Sequence, residues 1–273
     1  MVTQPAIKES YNEKQRKVSK TQMPDIDDPS TEVLEQSNIW QKNDIETKNL
    51  TDYDNPTVKN KALILTKCHE TIENKIAALF YYVRDDIKFQ FPDEGDFVAA
   101  SLTIKHGYGQ CNNKTILYLA LCKAIGIDAR AHFSLIDKSI QRGLITGLLY
   151  WFMPQKISHC WLEVKLNNKW FPIDSYINDA EYYLAAKKKL IEKGWDTGYS
   201  VASSKNESSI ELDFNKEQFV QMDAVTDDHG VYDDPVEYYK SSKYKNRPNA
   251  LALFIYKIFI RSVNDRAKKM RYS

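Results

Sequence analysis

One cysteine stands behind two glycines and an amide side chain in Gly107-Tyr108-Gly109-Gln110-Cys111-Asn112-Asn113-Lys114. From Thr115 to Ile125 the apolar residues Ile116, Leu117, Leu119, Ala120, Leu121, Ala124 and Ile125 recur at helical spacing over more than one face. That is the pattern of a buried helix, and Gly126 suits the left-handed position that ends one. Cys111 is therefore expected at a helix N-terminus, where unpaired backbone N–H groups favour a thiolate over a thiol of ordinary pKa, ~8.5. The glycines allow a substrate close to the backbone. A glycine-rich lead into a helix can also cradle phosphate, but the Walker spacing and its Lys-Ser/Thr pair are missing. An inert core cysteine is the alternative. Nucleophilic chemistry explains the position better.

A thiol nucleophile needs a base, and the base needs an orienting group. In Ser158-His159-Cys160-Trp161-Leu162-Glu163-Val164-Lys165-Leu166 the apolar residues alternate with polar or aromatic ones, as in a half-buried strand. Asn167-Asn168 fits a two-residue type I′ turn, and Lys169 to Asp174 returns as the partner strand. That loop sets the register: Leu166 opposes Lys169, Lys165 opposes Trp170, and Trp161 opposes Asp174. Asp174 then lies diagonal to His159 on one face, at ~7–8 Å between Cα atoms, a span two side chains can close with a hydrogen bond.

The combination of Gly-Gln-Cys opening a helix, Gly126-Ile127-Asp128-Ala129-Arg130, His-x-Trp-x-Glu-Val at 159–164 and Trp-x-x-x-Asp at 170–174 resembles the core of the transglutaminase-like superfamily. Tyr81-Tyr82-Val83-Arg84-Asp85-Asp86-Ile87-Lys88-Phe89 is similar to its helix-to-strand lead-in, so the likeness covers about Ala77 to Asp174. It implies a papain-like α+β fold, with a central helix bearing the cysteine at its N-terminus, packed on an antiparallel sheet and joined by extra helices. It also implies a Cys111–His159–Asp174 triad. Animal transglutaminases carry Trp after Gln-Cys, whereas Asn112 stands here. The match is closer to bacterial and archaeal members often described as cysteine proteases. The expected chemistry is attack of a Cys111 thiolate on an amide carbonyl, with His159 relaying the proton and Asp174 favouring a Cys⁻/His⁺ resting pair. The backbone N–H of Cys111 would serve the oxyanion. Gln110, Gly109 and Trp161 are weaker candidates for oxyanion or substrate contacts. Water as acceptor gives a protease or amidase, an amine gives transamidation, and a non-catalytic module that binds a peptide or partner remains a third reading.

Composition sets the outer limits. The 273 residues suffice for one large core or two small ones. Against 38 basic residues stand 37 acidic ones, so the net charge of +1 calls for neither nucleic acid nor an anionic membrane as partner. Cys68, Cys111, Cys122 and Cys160 show no disulfide framework and suit a reducing, cytoplasmic compartment. Met1 to Lys20 lacks a secretory core, and no run reaches the ~20 apolar residues of a membrane span. No cofactor is implied. A zinc site from Cys111, His132 and His159 would lack a spaced fourth ligand.

The elements that must position the triad follow in order. Residues 1–51 read as a polar, loosely held arm, and 52–273 as the catalytic domain with a C-terminal helical extension. Asp54-Asn55-Pro56 is a turn that starts a short helix, and Thr71 caps a second. Ile87 to Phe91 reads as a short strand, and 93–106 as a loop leading to Cys111. Arg130 to Ile136 alternates as a strand. Gly143 to Pro154 is too apolar for an exposed loop: it covers part of the core, or it lines a pocket for an apolar group on a peptide or amide substrate. Asn178-Asp179 caps a helix from about Ala180 to Lys193 that Gly194 ends. Asp227-Asp228-His229-Gly230 reads as a turn, and Pro235 starts a short helix. Ala250 to Val263, apolar nearly all round, is expected as a buried helix.

Overall fold

The computed structural model describes residues 49–202, 209–215, 219–247 and 250–272. Most of the expected N-terminal arm, residues 1–48, lies outside them. The end of that arm is packed: Leu50 is buried, and its carbonyl accepts the N–H of Ala100.

Local signals set the first helices. The Asn55 side chain accepts the Thr57 N–H and Pro56 supplies a fixed φ, which starts α1 (Pro56–Thr66). Thr71 accepts the Asn74 N–H at 3.2 Å and starts α2 (Ile72–Tyr81). A π-turn, Tyr82–Asp86, follows and buries Arg84 completely. The next strand is shorter than its apolar run suggests: β1 (Lys88–Phe89) pairs in parallel with β2 (Tyr108–Gly109). Between them lies α3 (Ala100–His106), within the stretch expected to be loop.

The central helix α4 (Cys111–Ala124) begins at the cysteine, and every residue from Cys111 to Cys122 is buried. Gly126, at φ +73°, closes its C-terminal turn. One side packs on the antiparallel sheet β5–β4–β3–β8, and α1, α2 and α3 cover the other. The sheet is built from β3 (Ala129–Asp137), β4 (Lys156–Leu166), β5 (Lys169–Ile173) and β8 (Val225–Tyr232). Asn167 and Asn168 both take positive φ, and the hairpin has the expected register, Leu166 opposite Lys169 through Leu162 opposite Ile173. The mixed helix and sheet is an α+β fold, as anticipated.

A short helix, α5 (Gly147–Phe152), rises from the apolar stretch 143–154 and buries none of its own residues. Beyond the sheet core, α6 (Ala180–Lys193) is capped by Asp179 and closed by Gly194. Two-residue strands β6 (Thr197–Gly198) and β7 (Val201–Ala202) pair with each other. Asp227-Asp228-His229-Gly230 is not a turn; it completes the edge strand β8, with register shifts that absorb the irregular backbone. The chain ends in α7 (Pro235–Lys240) and α8 (Ala250–Met270). Among the described residues, no helix is long and apolar enough to cross a membrane.

Candidate active site

Cys111 occupies the first residue of α4, as its sequence context requires. Gly109 sits where a Cβ would lie 3.0 Å from the Asn113 Cβ and 3.4 Å from Thr103 Cγ2, so the close approach of β2 to the helix explains that glycine. Gln110 precedes the helix, and its N–H donates to Asn113 Oδ1 at 3.2 Å. The Cys111 thiol has two acceptors near it, Gln110 Oε1 at 3.7 Å and Asn112 Oδ1 at 3.8 Å.

The charge state of that thiol reverses the expectation from the sequence. Cys111 is 8% exposed, and burial pushes its pKa up to about 12, assisted by the Asp96 carboxylate. The backbone amides of Asn112, Cys160 and Cys111 pull the other way without prevailing. His159 is fully buried, and burial drives its pKa down to about 3. The resting pair is a neutral thiol and a neutral imidazole, not a thiolate and an imidazolium.

The hairpin brings His159 and Asp174 towards one side of the sheet, but not into a hydrogen bond. Alternation along β4 turns Cys160 to α4, where Thr115 Oγ1 donates to its carbonyl and its own sulfur approaches the Cys111 carbonyl at 4.0 Å. His159, Trp161 and Glu163 take the opposite face, with Ser134, His132 and Arg130 across from them on β3. Neither His159 ring nitrogen hydrogen-bonds to a described residue. Asp174 lies one residue past the last β5 pair, fully buried. Its carboxylate accepts the N–H groups of Val220 at 2.7 Å and Gln221 and Met222 at 2.8 and 3.1 Å. Burial raises its pKa to about 7 against those three amides. The expected diagonal hydrogen bond is replaced by this amide cradle, because a buried carboxylate is better satisfied by three N–H donors than by one imidazole. Trp161 lies as a wall beside His159, with ring centroids 5.9 Å apart.

The matched family stretch encloses Cys111, His159, Trp161 and Asp174 but not the amides that hold Asp174. Residues 60–175 fit the family model of the transglutaminase-like superfamily. The chain carries a transglutaminase-like domain. Two solved structures are similar to it at low identity. One is a putative cysteine protease from Cytophaga hutchinsonii, 13% identical, with a TM-score of 0.41 over 72% of this chain and 50% of that one. The other is a putative protease from Parabacteroides distasonis, 12% identical, with a TM-score of 0.32 over 46% of this chain and 26% of that one. The chain thus spans half the length of the first and about a quarter of the second. No curated protein matches it.

Two sets of partners at this transglutaminase-like centre were not paired by the sequence. Asp96 accepts hydrogen bonds from the Gln110 side-chain amide and, at 2.9 Å, from Tyr244 Oη. This ties down the Gln110 amide that could otherwise serve an oxyanion. Burial raises the Asp96 pKa, while its bonds to Asn112, Tyr244 and Gln110 lower it. The second is a cluster behind Trp161. His132 stacks on that indole at 4.2 Å and bridges Glu163 at 2.6 Å and Asp228 at 2.7 Å. Burial lowers the His132 pKa, but the two carboxylates outweigh it and raise it overall. Asp96 and Tyr244 lie 148 residues apart in the chain, and His132 and Asp228 lie 96 apart. No local pattern announces either pair.

Proposed function

We propose that this chain is a thiol-dependent hydrolase acting on an amide or peptide bond through Cys111, with His159 as base and Asp174 as its orienting group. The reading rests on one observation: the stretch that fits the transglutaminase-like superfamily encloses all three residues, with Cys111 at the first position of the buried helix. The catalytic domain is taken as residues 52–273, including the C-terminal helices.

The Cys111 thiol gives its proton to His159 as its sulfur bonds to the carbonyl carbon. The Cys111 backbone N–H faces the oxyanion. The C–N bond breaks as the imidazolium returns the proton to the departing amine, leaving a thioester. Water adds to that thioester and restores the thiol; an amine in its place gives transamidation. Neither His159 ring nitrogen is hydrogen-bonded to a described residue, so the imidazole must first come within hydrogen-bonding reach of the sulfur. Substrate contacts are assigned to Gly109, Gln110 and Trp161, with Gln110 first released from Asp96.

The neutral thiol and the neutral imidazole, neither of whose nitrogens hydrogen-bonds to a described residue, favour a second reading, a module that retains the fold to bind a peptide. Incubating the full chain with peptide pools and analysing the intact protein by mass separates the two. A hydrolase gives an acyl adduct on Cys111, and Cys111→Ala folds normally, forms no adduct and releases no product. Peptide binding that is equal in both proteins, with no adduct in either, sinks the enzymatic reading.

A further inference from the structure

The net charge of +1 conceals an uneven distribution. From Lys240 to Ser273 the chain carries ten Lys and Arg against Asp265 alone. Taken from totals of 38 and 37, this leaves 28 basic against 36 acidic residues for the rest. The same segment forms α8, and α8 departs from the buried helix its composition suggests. Its inner side is Leu253, Ile260, Val263 and Ala267, all buried. Its first half also turns apolar side chains outward, with Phe254 63%, Ile258 55% and Phe259 47% exposed.

A second apolar element is tied to the same segment. The six-residue helix α5 exposes Leu148, Trp151 and Phe152, each at more than 70%. The basic segment holds α5 from both sides. Arg266 Nε donates to the Leu144 carbonyl at 2.7 Å, just before α5, and Asn246 donates to the Lys156 carbonyl at 3.2 Å, just after it. Single exposed aliphatics are normal on a protein surface; neighbouring clusters of exposed aromatics are not.

We propose that α5 and the first half of α8 are an interfacial surface that seats this domain on an anionic lipid bilayer. Trp151, Phe152, Phe254 and Phe259 enter the headgroup–acyl boundary, and the exposed basic residues further along α8, Arg261, Lys268 and Lys269, meet the lipid phosphates. Nothing crosses the bilayer. Charge selects this occupant over a second copy of the chain, since pairing two such helices sets the exposed Arg261, Lys268 and Lys269 of one against those of the other. Burial agrees: α5 buries none of its own residues, so its aromatic side chains are free to enter a soft surface. The inference stands apart from the chemistry assigned to Cys111.

The test is co-sedimentation of the full-length chain with phosphatidylcholine vesicles, with and without phosphatidylserine. The expected result is binding to the anionic vesicles alone, weakening as salt screens the headgroups. The Trp151→Glu/Phe254→Glu double variant should lose at least about tenfold in partitioning, and Lys268→Ala and Lys269→Ala about fivefold each. Ile64→Glu, at an exposed apolar position on α1, should bind like wild type. All substituted side chains face solvent, so an unchanged circular dichroism melt serves as the folding control. Failure to bind anionic vesicles overturns the proposal. So does equal binding to neutral vesicles, binding that survives the double substitution, or a concentration-dependent dimer that those substitutions dissolve in the absence of vesicle binding.

Discussion

Lys114 offers the sharpest quantitative test of how the central helix is buried. It lies three residues after Cys111, fully enclosed, with its ammonium nitrogen 3.2 Å from the Arg84 carbonyl. Burial lowers its pKa from 10.5 to about 7. Asp179 and Asp85 oppose that shift, while Arg271 and Lys88 reinforce it. Between those two values the unfolded chain binds a proton that the folded chain does not, so stability rises with pH across this window. The whole gap corresponds to about 5 kcal/mol; about 4 of it opposes folding at pH 7.5 and about 1 remains at pH 10. Lys114→Met keeps the volume and removes the titration. It also strands the Arg84 carbonyl, a pH-independent cost of about 1–2 kcal/mol. The variant should therefore be the more stable protein at pH 7.5 by about 2 kcal/mol. That advantage should shrink by about 3 kcal/mol by pH 10. Urea unfolding followed by circular dichroism, for both proteins at four pH values, reads the difference directly, and pH effects common to both cancel. Parallel stability curves would refute the reasoning, for they would mean that the amine stays charged in the folded protein, paired with Asp85 and Asp179.

Other consequences are simpler to read. Asp179 caps α6, accepts the Phe89 N–H and pairs with the nearly buried Arg271 at 2.5 Å, so Asp179→Ala should cost about 3–5 kcal/mol in urea unfolding. The Asp179 pKa is lowered because burial is outweighed by Arg271, so this contribution is present at neutral pH and fades as acid protonates the carboxylate. In the resting protein at pH 7.5, iodoacetamide should modify the exposed Cys68 well before Cys111, whose pKa is pushed up to about 12; peptide mapping that finds Cys111 labelled first would contradict the neutral thiol. Gly109→Val forces a side chain against Asn113 and Thr103 and should lower stability by about 1–3 kcal/mol, measured by thermal melting.

The features legible in the sequence are those fixed by neighbours along the chain. Asp179 and Gly194 bracket α6 because a cap and a left-handed stop act within one turn. Asn167-Asn168 sets the hairpin register because only a few residue types accept positive φ twice. Features set by distant partners were not legible. Asp227-Asp228-His229-Gly230 has turn composition, yet it forms strand because β3 offers an open edge and His132 binds Asp228. Helix α3 starts after Ala99, whose side chain offers no cap, and its first amide, Ala100 N–H, is satisfied instead by the Leu50 carbonyl. The apolar periodicity of α8 reports a helix correctly but cannot say which of its faces remains uncovered.

The same division runs through the candidate site, and magnitudes explain it. Residue types and helix position put Cys111, His159 and Asp174 forward, but their charge states depend on burial, which no local pattern encodes. A helix N-terminus stabilises an anion by about 0.3–1 kcal/mol, or about 2 in favourable buried geometry. Moving the Cys111 pKa from 9.0 to about 12 corresponds to about 4 kcal/mol. Burial, with Asp96 beside the sulfur, therefore outweighs the helix, and the resting thiol keeps its proton although it sits where a thiolate is usually favoured. His159 follows the same arithmetic in the opposite direction, losing its charge with no carboxylate among the described residues hydrogen-bonded to it. An acyl-transfer step at this centre must then begin by admitting a polar group, substrate or water, to the space around Cys111. Only when that desolvation is relieved does the contribution of the helix amides become large enough to decide the protonation state of the sulfur.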